Sequence, residues 1–394
     1  MVFKNSLVAL SVLLLSSCTL AELSFEDHLR SGSDTFKKAL ENPKHEIQII
    51  YGEIINDSIK HHYFNVENNQ FFYPASTVKM LAAFAAVHKL SEDSLSMKSI
   101  ISQDSSEIHP RKVQFDSVFN QPESIENLLK HIFTISDNRA YNILYSWLGK
   151  DYINTLYKSY GLDTRIVHQL SESAYSFTSE SNNKTAKTTL YDTLTINNKK
   201  YRAKEYLSKE QSLDLEWTAE NQKKGRGFID ASGELVNVPF NFSKKNFVPL
   251  VVLMEALERI TRPDLFDDSL RFKLPMESQK SLMDIMRLRP SDLPHPLDTL
   301  PDNYVKFLMM GDNNEPTYPD SIIIRNKVGW AYGYLTDVAY IEDKVNNISF
   351  FLAATIHVNE NEIYNDGIYE YETVGLPFLG ELGRIVHQIE IDKK

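Results

Sequence analysis

Three short motifs in this chain carry side chains suited to acyl transfer. The first is Ser76-Thr77-Val78-Lys79. Residues three apart on a helix share a face, so the Lys79 ammonium can reach the Ser76 hydroxyl. A serine needs a base to be nucleophilic near neutral pH, and a lysine serves where burial and neighbours lower its pKa. A helix start beside Ser76 would also favour developing negative charge. The second motif is Ser136-Asp137-Asn138, in a polar break between two apolar helical patterns. The third is Lys327-Val328-Gly329, at the end of the strand-like run Ile322-Ile323-Ile324-Arg325-Asn326. Taken singly, each has an ordinary structural use: a helix cap, a second cap, and a strand lysine before a glycine bulge.

The elements that must position these motifs can be read from periodicity. Glu46 to Tyr51 and Ser58 to Phe64 read as two strands around a turn at Asn56-Asp57. Ser76 to Leu90 is apolar nearly all round, the pattern of a helix buried at a domain centre. Helical patterns follow at Ile125–Ile135 and Ala140–Leu148, and later at Val251–Arg259 and Ser278–Met286. Residues 180–247 are rich in Asn, Lys and Thr and read as a loop-and-hairpin insertion. Three strand-like runs close the chain at Ser321–Asn326, Tyr332–Ile341 and Ile348–Val358, with a hairpin turn at Asn346-Asn347 and a helix over Leu379–Ile389. Strands at both ends and helices between them predict an α+β fold. One antiparallel sheet would be built from both chain ends, with a helical sub-domain inserted and the cleft where the two meet.

The order S-x-x-K, S-D-N, K-x-G, with each motif in a fitting element, resembles the serine β-lactamase and penicillin-binding-protein superfamily. The 60 residues from Ser76 to Ser136 are most like the spacing of class A β-lactamases. The resemblance covers residues 45–175 and 250–394. It implies that Ser76 is the acylated nucleophile and Lys79 the general base or proton relay. It implies that Ser136 passes a proton to the leaving nitrogen, and that Lys327 supplies positive charge toward Ser136 and a substrate carboxylate. Asn138 would contact a substrate amide and hold Lys79. The backbone N–H groups of Ser76 and Trp330 would form the oxyanion hole, and Gly329 would let substrate lie close against the strand. Asp137 is expected to cap the following helix. The implied substrate is a β-lactam or a related cyclic amide. A peptidoglycan DD-peptidase or penicillin-binding esterase with slow deacylation is the alternative, and a non-catalytic binding lipoprotein a second.

Two departures from the family pattern bear on function. The usual K-T-G is K-V-G here, so the side chain of Val328 cannot donate a hydrogen bond to a substrate carboxylate, a loss of about 1.5–3 kcal/mol. The E-x-x-L-N motif that holds the deacylating glutamate of class A enzymes is missing after Ser136. Glu172 lies near the family spacing but without the flanking Leu-Asn pair. Without a positioned base, an acyl-enzyme would persist. The insertion begins near the place where that loop should lie, and long ordered insertions beside a cleft shape access or bind partners.

Composition narrows the remaining classes. A net charge of −11 over 394 residues offers no basic surface for a nucleic-acid backbone. A single cysteine excludes a disulfide framework and a Cys-rich metal site, and no metal or other cofactor is expected. Adjacent histidines such as His61-His62 point to opposite faces of a strand. Lys223-Lys224-Gly225-Arg226-Gly227 lacks the rest of a phosphate-binding loop. The one cysteine closes the run Leu15-Ser16-Ser17-Cys18, after a short basic start at Lys4 and an apolar stretch too short to span a bilayer. This resembles a bacterial lipobox, which implies lipidation at Cys18 and a membrane-anchored protein of the cell envelope. The expected organisation is a signal peptide over 1–17, a tether and N-terminal helix over 18–44, a sheet sub-domain from 45–75 and 310–394, and a helical sub-domain over 76–309. The chain is expected to act as a monomer.

Overall fold

The computed structural model describes residues 23–103, 115–171, 182–192, 202–216, 219–313, 315 and 317–394. Residues 1–17, Cys18 and Glu172 lie outside the described residues.

Alternating apolar residues build the central sheet. Strands β1 (Gln48–Ile55) and β2 (Ser58–Phe64) form a hairpin through Asn56, which takes a positive φ of 52°. Asn tolerates this conformation better than most residues. Between the two N-terminal strands and the C-terminal ones lie five small pairings among the described residues. β3 (Ile100–Gln103) pairs with β6 (Thr188–Tyr191), and β6 with β7 (Ala203–Tyr206). β4 (Phe115–Asp116) pairs with β5 (Gln121–Pro122). β8 (Lys223–Lys224) pairs with β11 (Phe240–Asn241), and β9 (Gly227–Ile229) with β10 (Leu235–Val236). The long strands β12 (Ile322–Ala331), β13 (Tyr334–Asp343) and β14 (Ile348–His357) complete the main sheet, whose order is β12-β13-β14-β1-β2. All its pairings are antiparallel, with Gln48 opposite Thr355 and Lys327 opposite Val338. The sheet thus joins both chain ends.

Each face of the sheet is covered. Ile49, Tyr51, Leu335, Ala339 and Leu352 point into one core, and Ile50, Tyr334, Val338, Phe351 and Ala353 into the other, as a period of two requires. The first core is closed by α1 (Phe25–Leu29), α2 (Asp34–Glu41) and the C-terminal helix Leu376–Asp392. Residues 23–45 form two short helices instead of one because Ser33 caps the second and interrupts the periodic run. The other core is the helical part. It contains α3 (Val78–Glu92), α4 (Ile125–Ile135), α5 (Asn138–Ser159), α6 (Leu250–Thr261) and α7 (Met276–Met286). α3 is buried all round, as its sequence predicts. α6 packs directly on β1, β13 and β14.

The segment 180–247 is woven into the body. Its strand β6 pairs with β3, and β9 pairs in parallel with β15 (Ile363–Tyr364), which follows the main sheet in the chain. Phe240 and Phe242 enter an aromatic cluster with Tyr73, Tyr332, Tyr334 and Tyr364.

Candidate active site

Ser76 sits on a tight turn rather than within the α-helix itself. Ala75–Thr77 is one 3₁₀ turn, and its first residue, Ala75, holds a φ of 45°, in the left-handed region. Non-glycine residues are uncommon there and the conformation needs support. That support comes from Thr77, whose hydroxyl and backbone N–H both donate to Pro74 O, at 2.7 and 3.0 Å. A second support is Gly329. A side-chain carbon there would lie 2.9 Å from Ser76 N and 3.1 Å from Thr77 N, closer than van der Waals contact allows. The glycine was expected to make room for substrate; it makes room first for the backbone that carries Ser76.

The S-D-N residues divide between two helices. Ser136 ends α4 with φ 56° and ψ 39°, and Asp137 caps α5 by accepting from Arg139 N at 2.8 Å. The left-handed turn carries Ser136 into a gap between two lysines. Lys327 Nζ donates to Ser136 Oγ at 2.8 Å, and Lys79 Nζ lies 3.2 Å from the same oxygen. Lys79 also donates to Ser136 O and, at 2.6 Å, to Asn138 Oδ1. Its described partners are therefore the S-D-N residues; Ser76 Oγ makes no hydrogen bond among the described residues. Both amines are completely buried. Burial pulls Lys79 down to about 7, against the opposing pull of Asp137. Burial, and then the neighbouring Lys79 charge, hold Lys327 well below the ordinary lysine range. An amine with a pKa near 7 exchanges its proton readily at neutral pH.

Asn138 spans the cleft, with its Nδ2 donating to Ser171 O. Asn142, one turn along, binds Leu170 through both N–H and C=O. Val328 is buried in the core closed by α1, α2 and the C-terminal helix (the outer core), on the sheet face opposite Lys327, and it lines a small cavity of about 230 Å³ with Ser76, Ser136 and Phe307. Trp330 is about half exposed and lies between the rings of Phe307 and Tyr371. A larger cleft of about 850 Å³ runs from Ser76 past Asn138 to Lys244, Lys245 and Tyr332.

Two features were not legible in the motifs. Behind β12, Lys306 Nζ donates to Asn326 Oδ1 at 2.7 Å and to Ile324 O at 3.0 Å. Asn326 Nδ2 donates to Asp337 Oδ1 at 2.8 Å, and Asp337 Oδ2 accepts from Phe307 N and Leu308 N. This chain ties the loop of Val305 and Phe307 to the strand of Lys327. The other feature is the pair Lys244-Lys245 at the end of the insertion. A lone lysine in a polar stretch carries no periodic signal, so only the fold reveals what either one faces.

The comparisons with known proteins bear on the fold. Residues 34–223 match the family model described as the β-lactamase enzyme family. No curated protein matches the chain by sequence. Among solved structures, the TLA-3 extended-spectrum β-lactamase superposes with a TM-score of 0.52 at 14% identity, covering 93% of this chain and 99% of that one. PBP-A, as a mutant in its acyl-enzyme complex with penicillin G, gives a TM-score of 0.50 at 16% identity, over 95% and 99% of the two chains. A β-lactamase from Xanthomonas campestris gives 0.51 at 13%, over 93% and 98%. The family model thus covers just under half of the chain, and the solved structures show that the chain has the fold of the serine β-lactamases and of PBP-A. Its fold is the α+β superfamily fold, with the S-x-x-K, S-D-N and K-V-G residues converging on one cleft. Residues 165–171 are bound by the insertion: Arg165 and Phe247 exchange two backbone hydrogen bonds at 2.9 Å, and Asn246 Oδ1 accepts from Val167 N and His168 N.

Proposed function

We propose that this protein is a serine hydrolase that opens a β-lactam or related cyclic amide through an acyl-enzyme on Ser76. The reading is carried by one observation, the convergence of two buried lysine amines on Ser136 beside the half-buried Ser76. In this reaction the Ser76 oxygen bonds to the carbonyl carbon and the amide C–N bond breaks. Lys79, neutral in part near pH 7, takes the hydroxyl proton. Ser136 passes its proton to the leaving nitrogen and regains one from the protonated Lys79 amine, while Lys327 Nζ donates to the Ser136 oxygen. The N–H groups of Ser76 and Trp330 receive the carbonyl oxygen. Water then releases the acyl group.

A second reading, a penicillin-binding esterase or DD-peptidase with slow release, is favoured by the cleft lining. Among the described residues lining it there is no carboxylate to activate water. Intact-mass measurement after mixing with several β-lactams, alongside nitrocefin turnover, separates the two. A transient adduct with turnover supports hydrolysis, and a stable stoichiometric adduct supports slow release. No adduct with any of them, or an adduct that survives Ser76→Ala, removes the acyl-enzyme reading. We also propose that lipidation of Cys18 tethers the enzyme to an envelope membrane; Cys18→Ala would then move it out of the membrane fraction.

A further inference from the structure

The two cavities that meet at Ser76 differ in chemistry. Ser136 lines only the smaller one. In the proposed reaction Ser136 serves the leaving nitrogen, so the leaving side of a substrate lies in the smaller cavity. The acyl side must then extend past Asn138 into the larger cleft. No described residue lining that cleft is acidic, although the chain as a whole carries a net charge of −11. It does receive two lysines from the end of the insertion, Lys244 and Lys245. Neither has a carboxylate partner among the described residues. Lys245 Nζ rests 3.1 Å from the Tyr332 hydroxyl and 5.3 Å from the centre of that ring. Lys244 is exposed. Tyr332, with Tyr371 and Trp330, gives the same cleft a flat aromatic wall, and Trp330 and Tyr371 stack at 5.7 Å.

Two cations in a cleft with no counter-charge among its described lining residues make a receptor for an anion, and aromatic faces suit a planar or apolar body beside it. We propose that the acyl part of the substrate carries a carboxylate that Lys244 and Lys245 receive, with the adjoining body laid against the Tyr332–Trp330 wall. This gives the insertion a role in selecting substrate. The inference rests on the acyl-enzyme reading for its orientation, and its test is built on binding so that the two can fail separately.

Benzylpenicillin and carbenicillin differ by one carboxylate on the acyl side chain. Their affinities are measured by calorimetry on Ser76→Ala, which cannot be acylated. With both lysines present, carbenicillin is expected to bind about tenfold more tightly, as one added charge-assisted contact gives. The preference should shrink in 1 M salt, where the screening length falls to about 3 Å. It should fall toward one in Ser76→Ala with Lys244→Ala and Lys245→Ala. Lys244→Glu, at an exposed position that leaves the Lys245–Tyr332 contact in place, should reverse it even if the double substitution harms folding. Equal affinity for the two penicillins, binding of neither, or a preference that survives the lysine substitutions overturns the anion site. Absence of an adduct on the Ser76 enzyme, with the carboxylate preference intact, overturns the acyl-enzyme reading alone.

Discussion

In the proposed reaction Lys79 and Ser136 set the reactivity of the site, and both are held at a cost to the fold. A lysine drawn down to about 7 is neutral only above that pH. If its neutral amine takes the Ser76 proton, the acylation rate should rise with pH through about 7 and level off above it. A stopped-time mass assay of adduct formation from pH 5.5 to 9 checks this, and a rate that falls across that range removes Lys79 as the base. Val328 poses a second question. Val328→Thr adds a hydroxyl at the edge of the smaller cavity, so acylation by penicillins should quicken about tenfold. An unchanged rate constant would mean that the substituted side chain stays turned into the outer core. The motifs themselves were legible because each is a local pattern. The use of Gly329 was not, because the backbone it accommodates, Pro74 to Thr77, comes from the other end of the chain. The left-handed turn at Ser136 was equally hidden, since serine carries no mark of a positive φ.

The elements that frame the cleft are two loops joined by buried polar side chains. Asn246 is fully buried and holds Val167 N at 2.8 Å and His168 N at 3.2 Å. Asn246→Ala would orphan both N–H groups at about 1–3 kcal/mol each. Penicillin binding should weaken along with stability, because the Val167–His168 segment that leads into the Leu170–Ser171 wall loses its hold on the insertion. A denaturation midpoint equal to that of the parent would show that the clamp is dispensable. His168 lies in the same clamp: its Nε2 accepts from Asn246 N at 3.1 Å, and its ring is pulled down to about 4, chiefly by burial. The unfolded chain therefore takes up a proton below about 6.5 that the folded chain refuses until about 4. Stability is complete above that window and is lost as pH falls through it. Chemical denaturation at pH 7.5 and 5 should show a drop that His168→Gln makes smaller; an equal drop in both proteins would place the sensitivity elsewhere. The insertion was visible as a change in composition. Its pairing with β3 and β15 was not, because strands of two to four residues carry too little periodicity to name a partner.

At the scale of the molecule, the insertion, the helical part and the sheet share one core. Phe242 is fully buried and its ring meets Phe71, Tyr73, Tyr332 and Tyr334, residues from the insertion's two neighbours as well as from the cleft wall. Removing a buried phenylalanine costs about 3–5 kcal/mol when its surroundings cannot collapse. If the insertion were an appendage, Phe242→Ala would loosen it alone, and heating would give an early transition followed by that of the remaining body. The shared aromatic cluster argues instead for a single unfolding event shifted to lower temperature, with penicillin binding lost in the same step. Calorimetry together with the near-ultraviolet signal of the aromatic rings distinguishes the outcomes. Two separated transitions would mean that the cleft wall is borne by a unit that folds independently. Coincident transitions fit a molecule in which the added segment became part of the core, and in which the acyl side of the cleft cannot be altered without altering the fold that carries Ser76.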